Sequence, residues 1–320
     1  MRQASLDMVY ELAKKDPRVL FIGSDLGVGT LDNFKKEFPD RFFMEGISEA
    51  NLIGMAAGLA MEGKIPYVNT IATFLTRRCF EQVALDLCLH NQNVRLIANG
   101  GGLVYAPLGP THEAIDDIAI LRALPNMTII APADAEEMKR CMVKTLDYQG
   151  PIYIRLAKGY DPVVTTPEMG FEIGKAFPMR QGNDALIIST GITLNNALQA
   201  ADHLQKEGIH VSVLHTPTIK PLDTKIILEY ASRIPVIVTI EEHSVIGGLG
   251  GAVAELIAEA NFPTAKCFKR LGIPDVFPEQ YGSQDSLMKS FHITTEDLMS
   301  VIKELRDLRV NRSESIQELV

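Results

Sequence analysis

The sequence lacks several features that mark specialised classes of protein. It has no tryptophan, and its four cysteines, Cys79, Cys88, Cys141 and Cys267, are scattered without the CxxC spacing of a zinc site or a redox pair. We therefore expect free, buried thiols, as in proteins of a reducing cytoplasm. The sequence has no uninterrupted apolar run of about 18 residues, so we expect no membrane-spanning helix. The opening stretch MRQASLDMVYELAKKDP has no apolar core of the signal-peptide type, and a cytoplasmic location is expected.

Positive charge is also scarce. The 320 residues carry 31 Lys and Arg against 40 Asp and Glu, which gives a formal net charge of −9. Nucleic acids and anionic membranes select basic surfaces, so we expect neither as the main partner. Hydrophobic residues make up 46% and charged residues 22%, as in an ordinary globular protein. The length is sufficient for two domains, each with its own core.

The hydrophobic pattern alternates between strand-like and helix-like segments. RVLFIGSDL, VRLIANGGG and MTIIAPAD are typical of strands, whereas LTRRCFEQVALDLCLHNQ and AEEMKRCMVKTLDY have the helical period. A second alternating series begins at DALIIST. This alternation predicts an α/β fold with two doubly wound, mostly parallel sheets.

The same pattern predicts the domain boundaries. Residues 1–160 form the first predicted domain, and residues 161–182 are turn-rich and polar, as in a linker. Residues 183–308 form the second predicted domain. The charged segment 309–320 is expected to be a loosely attached tail.

Ligands of open α/β sheets bind at the carboxyl ends of the strands. In the first domain these ends lead into turns around Asp25, Glu49 and Phe74, and into a glycine-rich loop that ends at His112. Glu49 opens the segment EANLIGMAAGLAM, in which small and apolar residues replace the charges of a surface helix. An acid at this point is compatible with simple stabilisation of a helix N-terminus. Gly54 and Gly58 leave one face of that helix bare, so another backbone can approach it closely.

Three segments together resemble a known family. GISEANLIGMAAGLA, ATFLTRRCFEQV and LGPTHEAIDDIAILRALPNMTIIAPAD resemble the pyrimidine-binding domain of thiamine-diphosphate enzymes of the transketolase family. IKPLD and EEHSVIGGLGGAVAELI resemble the C-terminal domain of the same family, so the resemblance covers nearly the whole chain. The GDG motif, through which the family binds the diphosphate by way of a metal, does not occur.

The resemblance therefore implies the C-terminal subunit of a split transketolase. Such an enzyme transfers a two-carbon ketol unit from a ketose to an aldose with thiamine diphosphate as cofactor. The ligands of the Mg²⁺ or Ca²⁺ ion are expected on a separate N-terminal subunit, and no metal ligand is expected on this chain. The family's active sites form between chains, which implies a two-plus-two heterotetramer. The family's equivalent of the glycine-bearing helix packs at a subunit interface, so its bare face is expected to be a contact surface.

The resemblance also assigns residues to the cofactor. Glu49 matches the carboxylate that hydrogen-bonds N1′ of the aminopyrimidine, and Phe74 matches the ring that stacks on it. Phe80 matches a second aromatic position, with core packing as the alternative. Asp25, in GSDLG, matches an acid that faces the cofactor, with a turn-forming Asp as the alternative.

Other residues match the substrate side of the family's site. His112, in GPTH, would reach the reacting end of the substrate, and Arg155, in YIRLAKG, would bind a sugar phosphate unless it is a surface or interface residue. Leu108 stands where transketolases carry an Asp that contacts a sugar hydroxyl. Gly100 and Gly29 stand where a His and a Ser assist phosphate binding. The donor and acceptor sugars, and whether they are phosphorylated, therefore stay open.

Three alternative functions remain at this stage. One is the beta subunit of a 2-oxoacid dehydrogenase, and another is an enzyme similar to 1-deoxyxylulose-5-phosphate synthase. The third is a non-catalytic scaffold, against which the intact Glu49, Phe74 and His112 argue. His243, in EEHSVIGGLGG, follows a second-domain strand and is expected to be structural, because the glycine cluster beside it has neither GxGxxG nor Walker spacing.

Overall fold

The computed structural model describes residues 1–24, 29, 31–157 and 159–317, and from residue 311 onward it describes the backbone alone. Asp25, one of the predicted cofactor residues, lies outside the described residues. Within the described part of the chain, no helix is long and apolar enough to cross a membrane.

Two sheets carry the fold. The strands are β1 (Val19–Gly23), β2 (Phe42–Met44), β3 (Ile65–Ile71), β4 (Arg95–Asn99), β5 (Thr128–Ile130), β6 (Ile152–Leu156), β7 (Phe177–Arg180), β8 (Ala185–Ser189), β9 (Val211–His215), β10 (Thr218–Lys220), β11 (Val236–Ser244) and β12 (Cys267–Ile273). The first sheet has the order β10-β5-β6-β4-β3-β1-β2 and the second β12-β11-β8-β9-β7. All pairings are parallel except those of β10 with β5 and β7 with β9. The predicted α/β fold with two mostly parallel sheets is confirmed.

Helices cover the sheets. They are α1 (Arg2–Lys15), α2 (Asp32–Glu37), α3 (Glu49–Met61), α4 (Ala72–Arg77), α5 (Phe80–Gln82), α6 (Asp117–Arg122), α7 (Ala135–Thr145), α8 (Thr193–Lys206), α9 (Thr224–Arg233), α10 (Leu249–Glu259), α11 (Gln284–Ser290) and α12 (Thr295–Gln317). Helix α3 packs against β3 and shares a core cluster with the segment after α5, whereas α1 and α7 pack together in a separate cluster. Strands β1, β4 and β6 are buried along their whole length, as expected for parallel strands covered on both faces.

One predicted helix is interrupted. The segment LTRRCFEQVALDLCLHNQ falls into the end of α4, the short α5 and a π-helical segment at Val83–Leu89. A π-helical turn has wider i→i+5 bonds and shifts the facing side chains, and the apolar period of the sequence does not reveal it. The interruption places Arg78 and Cys79 in a turn between two short helices.

The two halves of the chain are joined by more than a linker. Strand β10 comes from the second half but pairs with β5 at the edge of the first sheet. Strand β7 lies inside the predicted linker 161–182, where it forms an edge of the second sheet with an alternating burial pattern. The backbone of α12 continues to Gln317, through most of the predicted tail 309–320. The predicted domain boundaries themselves stay predictions.

Candidate cofactor site

Glu49 is a buried acid at the start of a helix. It is the first residue of α3, and only 4% of it is exposed. The hydroxyl of the preceding Ser48 donates to the carbonyl of Glu45 at 3.2 Å and makes no side-chain cap. The Glu49 Oε2 atom accepts a hydrogen bond from Nη1 of Arg78 at 3.2 Å. The carboxylate is therefore buried against one cation and the positive end of the helix dipole.

Phe74 and His112 lie side by side. Phe74 is half-buried on α4, and its ring centroid lies 5.1 Å from that of His112 in an edge-on arrangement. The hydroxyl of Thr73 donates to the main-chain carbonyl of His112 at 3.0 Å and ties the two segments together. The guanidinium of Arg78 lies over the Phe74 ring, 3.6 Å from its centroid. The structure thus brings Glu49, Phe74 and His112 around one place, with Arg78 among them.

The glycine-rich loop before His112 is held closely against the second domain. Gly102 has φ +67°, and a Cβ on it would lie 2.5 Å from the carboxyl carbon of Glu242. The amide of Leu103 donates to Glu242 Oε1 at 2.8 Å, and Gln284 of α11 donates to the same oxygen at 2.8 Å. Burial raises the pKa of Glu242 to about 7. This contact needs glycine, because only glycine combines the left-handed conformation with so close an approach.

Arg155 is fixed beneath this loop. It is 8% exposed, and its Nε donates to Oδ2 of the fully buried Asp117 at 2.8 Å. Its Nη2 donates to the carbonyls of Ala114 and Glu242 at 3.0 and 2.9 Å. Burial opposes both charges, yet their pairing holds the pKa of Asp117 below its ordinary value and that of Arg155 above it. Arg155 thereby links the first sheet to β11 of the second.

His243 lies at the same domain seam. Burial lowers its pKa to about 4, so the ring is neutral near pH 7. Its Nδ1 donates to the carbonyl of Ser244 at 2.7 Å, and its Nε2 accepts from the amide of Ala119 at 3.3 Å. These contacts support the structural role that the sequence suggested.

The remaining predicted residue, Phe80, begins α5 and is 37% exposed. It belongs to a set of exposed apolar side chains on and beside α3 and the π-helical segment, which we name the bare face: Ile47, Met61, Phe80, Leu85 and Leu89, together with Gly54 and Gly58. A Cβ on Gly54 or Gly58 would meet no atom within 4 Å. The bare face is therefore apolar and uncovered in the single chain.

Sequence reasoning missed three residues of the site. The sequence does not distinguish Arg78 from the adjacent Arg77, because no motif marks either of them. Glu113, next to His112, is fully buried, and neither carboxyl oxygen has a hydrogen-bond partner among the described residues. Burial raises the pKa of Glu113 to about 7. Tyr281 reaches across from the second domain, and a Cβ on Gly109 would lie 2.8 Å from its ring.

The chemistry of the site suits one kind of ligand. A buried carboxylate offers a hydrogen-bond acceptor, and the Phe74 ring offers an aromatic face beside it. Together they fit a flat nitrogen heterocycle with a protonatable ring nitrogen, such as an aminopyrimidine. Among the residues that the structure describes, no group of three or more His, Cys, Asp or Glu side chains could hold a metal ion.

Comparison with known families agrees with the fold and with this fit. Residues 1–160 match the pyrimidine binding domain of transketolase, and residues 174–298 match the transketolase C-terminal domain. The chain belongs to the transketolase family. Membership of this family implies dependence on thiamine diphosphate, whose aminopyrimidine is the heterocycle that Glu49 and Phe74 suit.

Individual relatives sharpen this assignment. A 6-deoxy-6-sulfo-D-fructose transketolase subunit from Clostridium sp. is 35% identical over 96% of this chain and 94% of its own. A solved structure described as a split gene transketolase, inactive beta4 tetramer, has a TM-score of 0.86 and 36% identity over 96% of this chain and 98% of its own. A 1-deoxy-D-xylulose-5-phosphate synthase from Synechococcus sp. is 39% identical over 87% of this chain but only 43% of its own length. The prediction of a transketolase-type transferase subunit, of the split kind, is confirmed.

Proposed function

We propose that this chain supplies the pyrimidine-binding half of a thiamine-diphosphate site for ketol transfer from a ketose to an aldose. When bound, the cofactor supplies the carbon chemistry, and the protein positions it. Glu49 would share a proton with N1′ of the aminopyrimidine, and Phe74 would stack on its ring. Phe80 and Asp25 stay proposed as further cofactor contacts.

The substrate side of the proposal rests on the loop before His112. The imidazole of His112 is partly exposed beside Phe74, where it can donate or accept a proton at the reacting end of a sugar. The Nε and Nη2 of Arg155 are used by Asp117 and two main-chain carbonyls, so Nη1 is the nitrogen that we propose for a substrate anion. Leu108 is 49% exposed and offers no hydrogen bond where the family pattern has an Asp.

The single observation that carries the proposal is the burial of Glu49 beside the Phe74 ring. A buried carboxylate is costly unless it has a partner, and the only cation on it in the described structure is half-exposed Arg78. An aminopyrimidine nitrogen offers a better-suited partner, because it shares a proton with the acid and needs no separate charge.

Replacing Glu49 by Gln tests the function. The amide keeps the shape of the side chain but cannot share a proton with N1′, so ketol transfer by the complete enzyme should fall at least 100-fold, on the order expected for loss of a proton-transfer group. Glu45→Gln is the matched control, since Glu45 is exposed four residues earlier. Full activity in Glu49→Gln would sink the proposal.

We further propose that the diphosphate and a Mg²⁺ or Ca²⁺ ion are held by a separate N-terminal subunit, in a cytoplasmic two-plus-two heterotetramer. The uncovered bare face supports self-association, because apolar patches of this kind mark interfaces in soluble proteins. Light scattering of the co-expressed pair should give the mass of the heterotetramer. Met61→Lys should lower that mass, and a one-to-one mass for the unchanged pair would refute the assembly.

A synthase-like reaction is the second candidate, because the Synechococcus relative is as similar as the split subunits are. The product in that relative's name is a 1-deoxyketose, so such an enzyme would need a donor that delivers a methyl-bearing two-carbon unit, as pyruvate can with loss of carbon dioxide. Incubating the complete enzyme with pyruvate or with a ketose, each with a common aldose acceptor, separates the two. We expect turnover with the ketose and none with pyruvate.

A further inference from the structure

One side chain, Arg78, contacts both of the groups that we assign to the aminopyrimidine. Its Nη1 donates to Glu49 Oε2 at 3.2 Å, and its guanidinium lies 3.6 Å from the centroid of Phe74. The turn between α4 and α5 carries Arg78, and 48% of the side chain is exposed.

The guanidinium has the properties that the site requires of its ligand. It is flat, stacks on aromatic faces and donates hydrogen bonds to carboxylates in its own plane. An aminopyrimidine is also flat and meets the same ring and the same acid. Two flat groups cannot lie on one face of Phe74 and use one carboxylate oxygen at the same time.

We propose that Arg78 occupies the place of the pyrimidine in the unliganded chain and swings out when the cofactor enters. This inference rests on the proposed function, because it takes Glu49 and Phe74 as the pyrimidine contacts. Arg78 is then a competitor built into the site, and it shields the buried acid until the cofactor replaces it.

The neighbouring Arg77 is held by a closer ion pair than Arg78 is. Arg77 makes a two-point ion pair with Asp116, with its Nε and Nη2 at 3.0 and 2.9 Å from the two carboxyl oxygens. Arg78 makes one longer contact with its acid and is more exposed than Arg77. When Arg78 leaves, its half-exposed guanidinium is solvated and the incoming pyrimidine becomes the partner of the buried Glu49, so the exchange has a small cost.

The exchange has a measurable consequence for affinity. When a ligand must first displace an internal competitor, its apparent Kd equals the intrinsic Kd divided by the fraction of molecules in which the site is open. Removing the Arg78 guanidinium should tighten pyrimidine binding about tenfold, which equals about 1.4 kcal/mol. Salt screens the Arg78–Glu49 pair, so higher salt should tighten binding to the unchanged protein as well.

The test uses the complex of this chain with its partner subunit, stripped of cofactor. The probe is the uncharged pyrimidine half of the cofactor, 4-amino-5-hydroxymethyl-2-methylpyrimidine, which avoids the diphosphate and its metal. Calorimetric titration should give about tenfold tighter binding to Arg78→Met and an intermediate value for Arg78→Lys, which keeps the charge but loses the planar fork. The salt effect should vanish in Arg78→Met.

Arg233→Met is the matched control. Arg233 also lies over an aromatic ring, 4.3 Å from the centroid of Tyr230, but on α9 of the second domain. Its replacement should leave probe binding unchanged. Equal or weaker binding of the probe to Arg78→Met would overturn the inference and leave pyrimidine binding intact. Failure of the probe to bind either protein would instead overturn the proposed function, and this inference with it.

Discussion

Arg155 and Arg78 both pair with buried acids near the candidate site, but they are held in opposite ways. Arg155 is 8% exposed and uses two of its nitrogens on Asp117 and on two main-chain carbonyls from both halves of the chain. Arg78 is 48% exposed and has one hydrogen bond and one ring contact. The first arginine is part of the framework, whereas the second can be exchanged for a ligand.

The difference shows that one part of the candidate site is fixed by the fold, whereas another part is open to exchange with a ligand. The loop before His112, which we propose faces the substrate, lies on the fixed seam formed by Arg155 and Glu242, so its position is set by folding. The proposed cofactor residues Glu49 and Phe74 lie on α3 and α4, beside the half-exposed Arg78. Substitutions on the seam should therefore affect stability, and substitutions at Arg78 should affect binding.

The largest effect is expected from Arg155→Met. Removing the guanidinium leaves the carboxylate of Asp117 buried without its cation, which should cost about 3–5 kcal/mol of unfolding free energy. Thermal and denaturant unfolding of the purified chain measure the loss. The control is Arg180→Met, because Arg180 forms an exposed 3.4 Å pair with Asp202 whose loss should be within about 1 kcal/mol. Similar losses in the two variants would contradict the framework role of Arg155.

Gly102→Ala should come next. A Cβ at this position would lie 2.5 Å from the Glu242 carboxyl carbon and 2.7 Å from its main-chain oxygen, on a backbone with φ +67°. We expect a loss of about 2–3 kcal/mol, together with reduced turnover because the loop carrying His112 must shift. Gly208→Ala is the control, since Gly208 has φ +79° but nothing within 4 Å. It should cost only the conformational part, about 1 kcal/mol.

Much of this framework could be predicted from the sequence, and the two arginines show where such prediction stops. The α/β alternation indicated two parallel sheets, and the motifs indicated Glu49, Phe74 and His112. Sequence did not indicate that Arg155 joins the two sheets, because its partners Asp117 and Glu242 are distant along the chain. It did not reveal Arg78 either, because the interrupted helix that turns this side chain toward Glu49 depends on packing, which an apolar period does not report.

The pH dependence of Glu113 should give a smaller effect. Burial raises its pKa in the folded chain to about 7 from the ordinary 4.5, so the folded chain holds this proton more tightly than the unfolded chain. The stabilisation is fully present below pH 4.5 and is lost progressively as the pH rises through 7. Glu113→Gln cannot ionise, so its stability relative to the unchanged chain should rise across this window. Chemical denaturation at several pH values measures this change, with the exposed Glu45→Gln as the control substitution.

The smallest effect on folding is expected at Arg78. Unlike Arg155→Met, its substitution should lower stability while it strengthens pyrimidine binding. Arg78→Met should lower the unfolding free energy of the unliganded chain by about 1.4 kcal/mol, the amount that corresponds to a tenfold competitor. The loss should be smaller than for Arg155→Met, because Glu49 keeps the positive end of the α3 dipole when the half-exposed guanidinium is removed. Arg78→Met should also increase the rise in melting temperature that saturating pyrimidine produces, because the ligand no longer competes with a guanidinium. Melting curves of the complex with and without pyrimidine measure both quantities. Replacing a framework arginine would lower the stability of the complex equally with and without pyrimidine. An equal loss from Arg78→Met in both states would therefore give Arg78 the same framework role as Arg155.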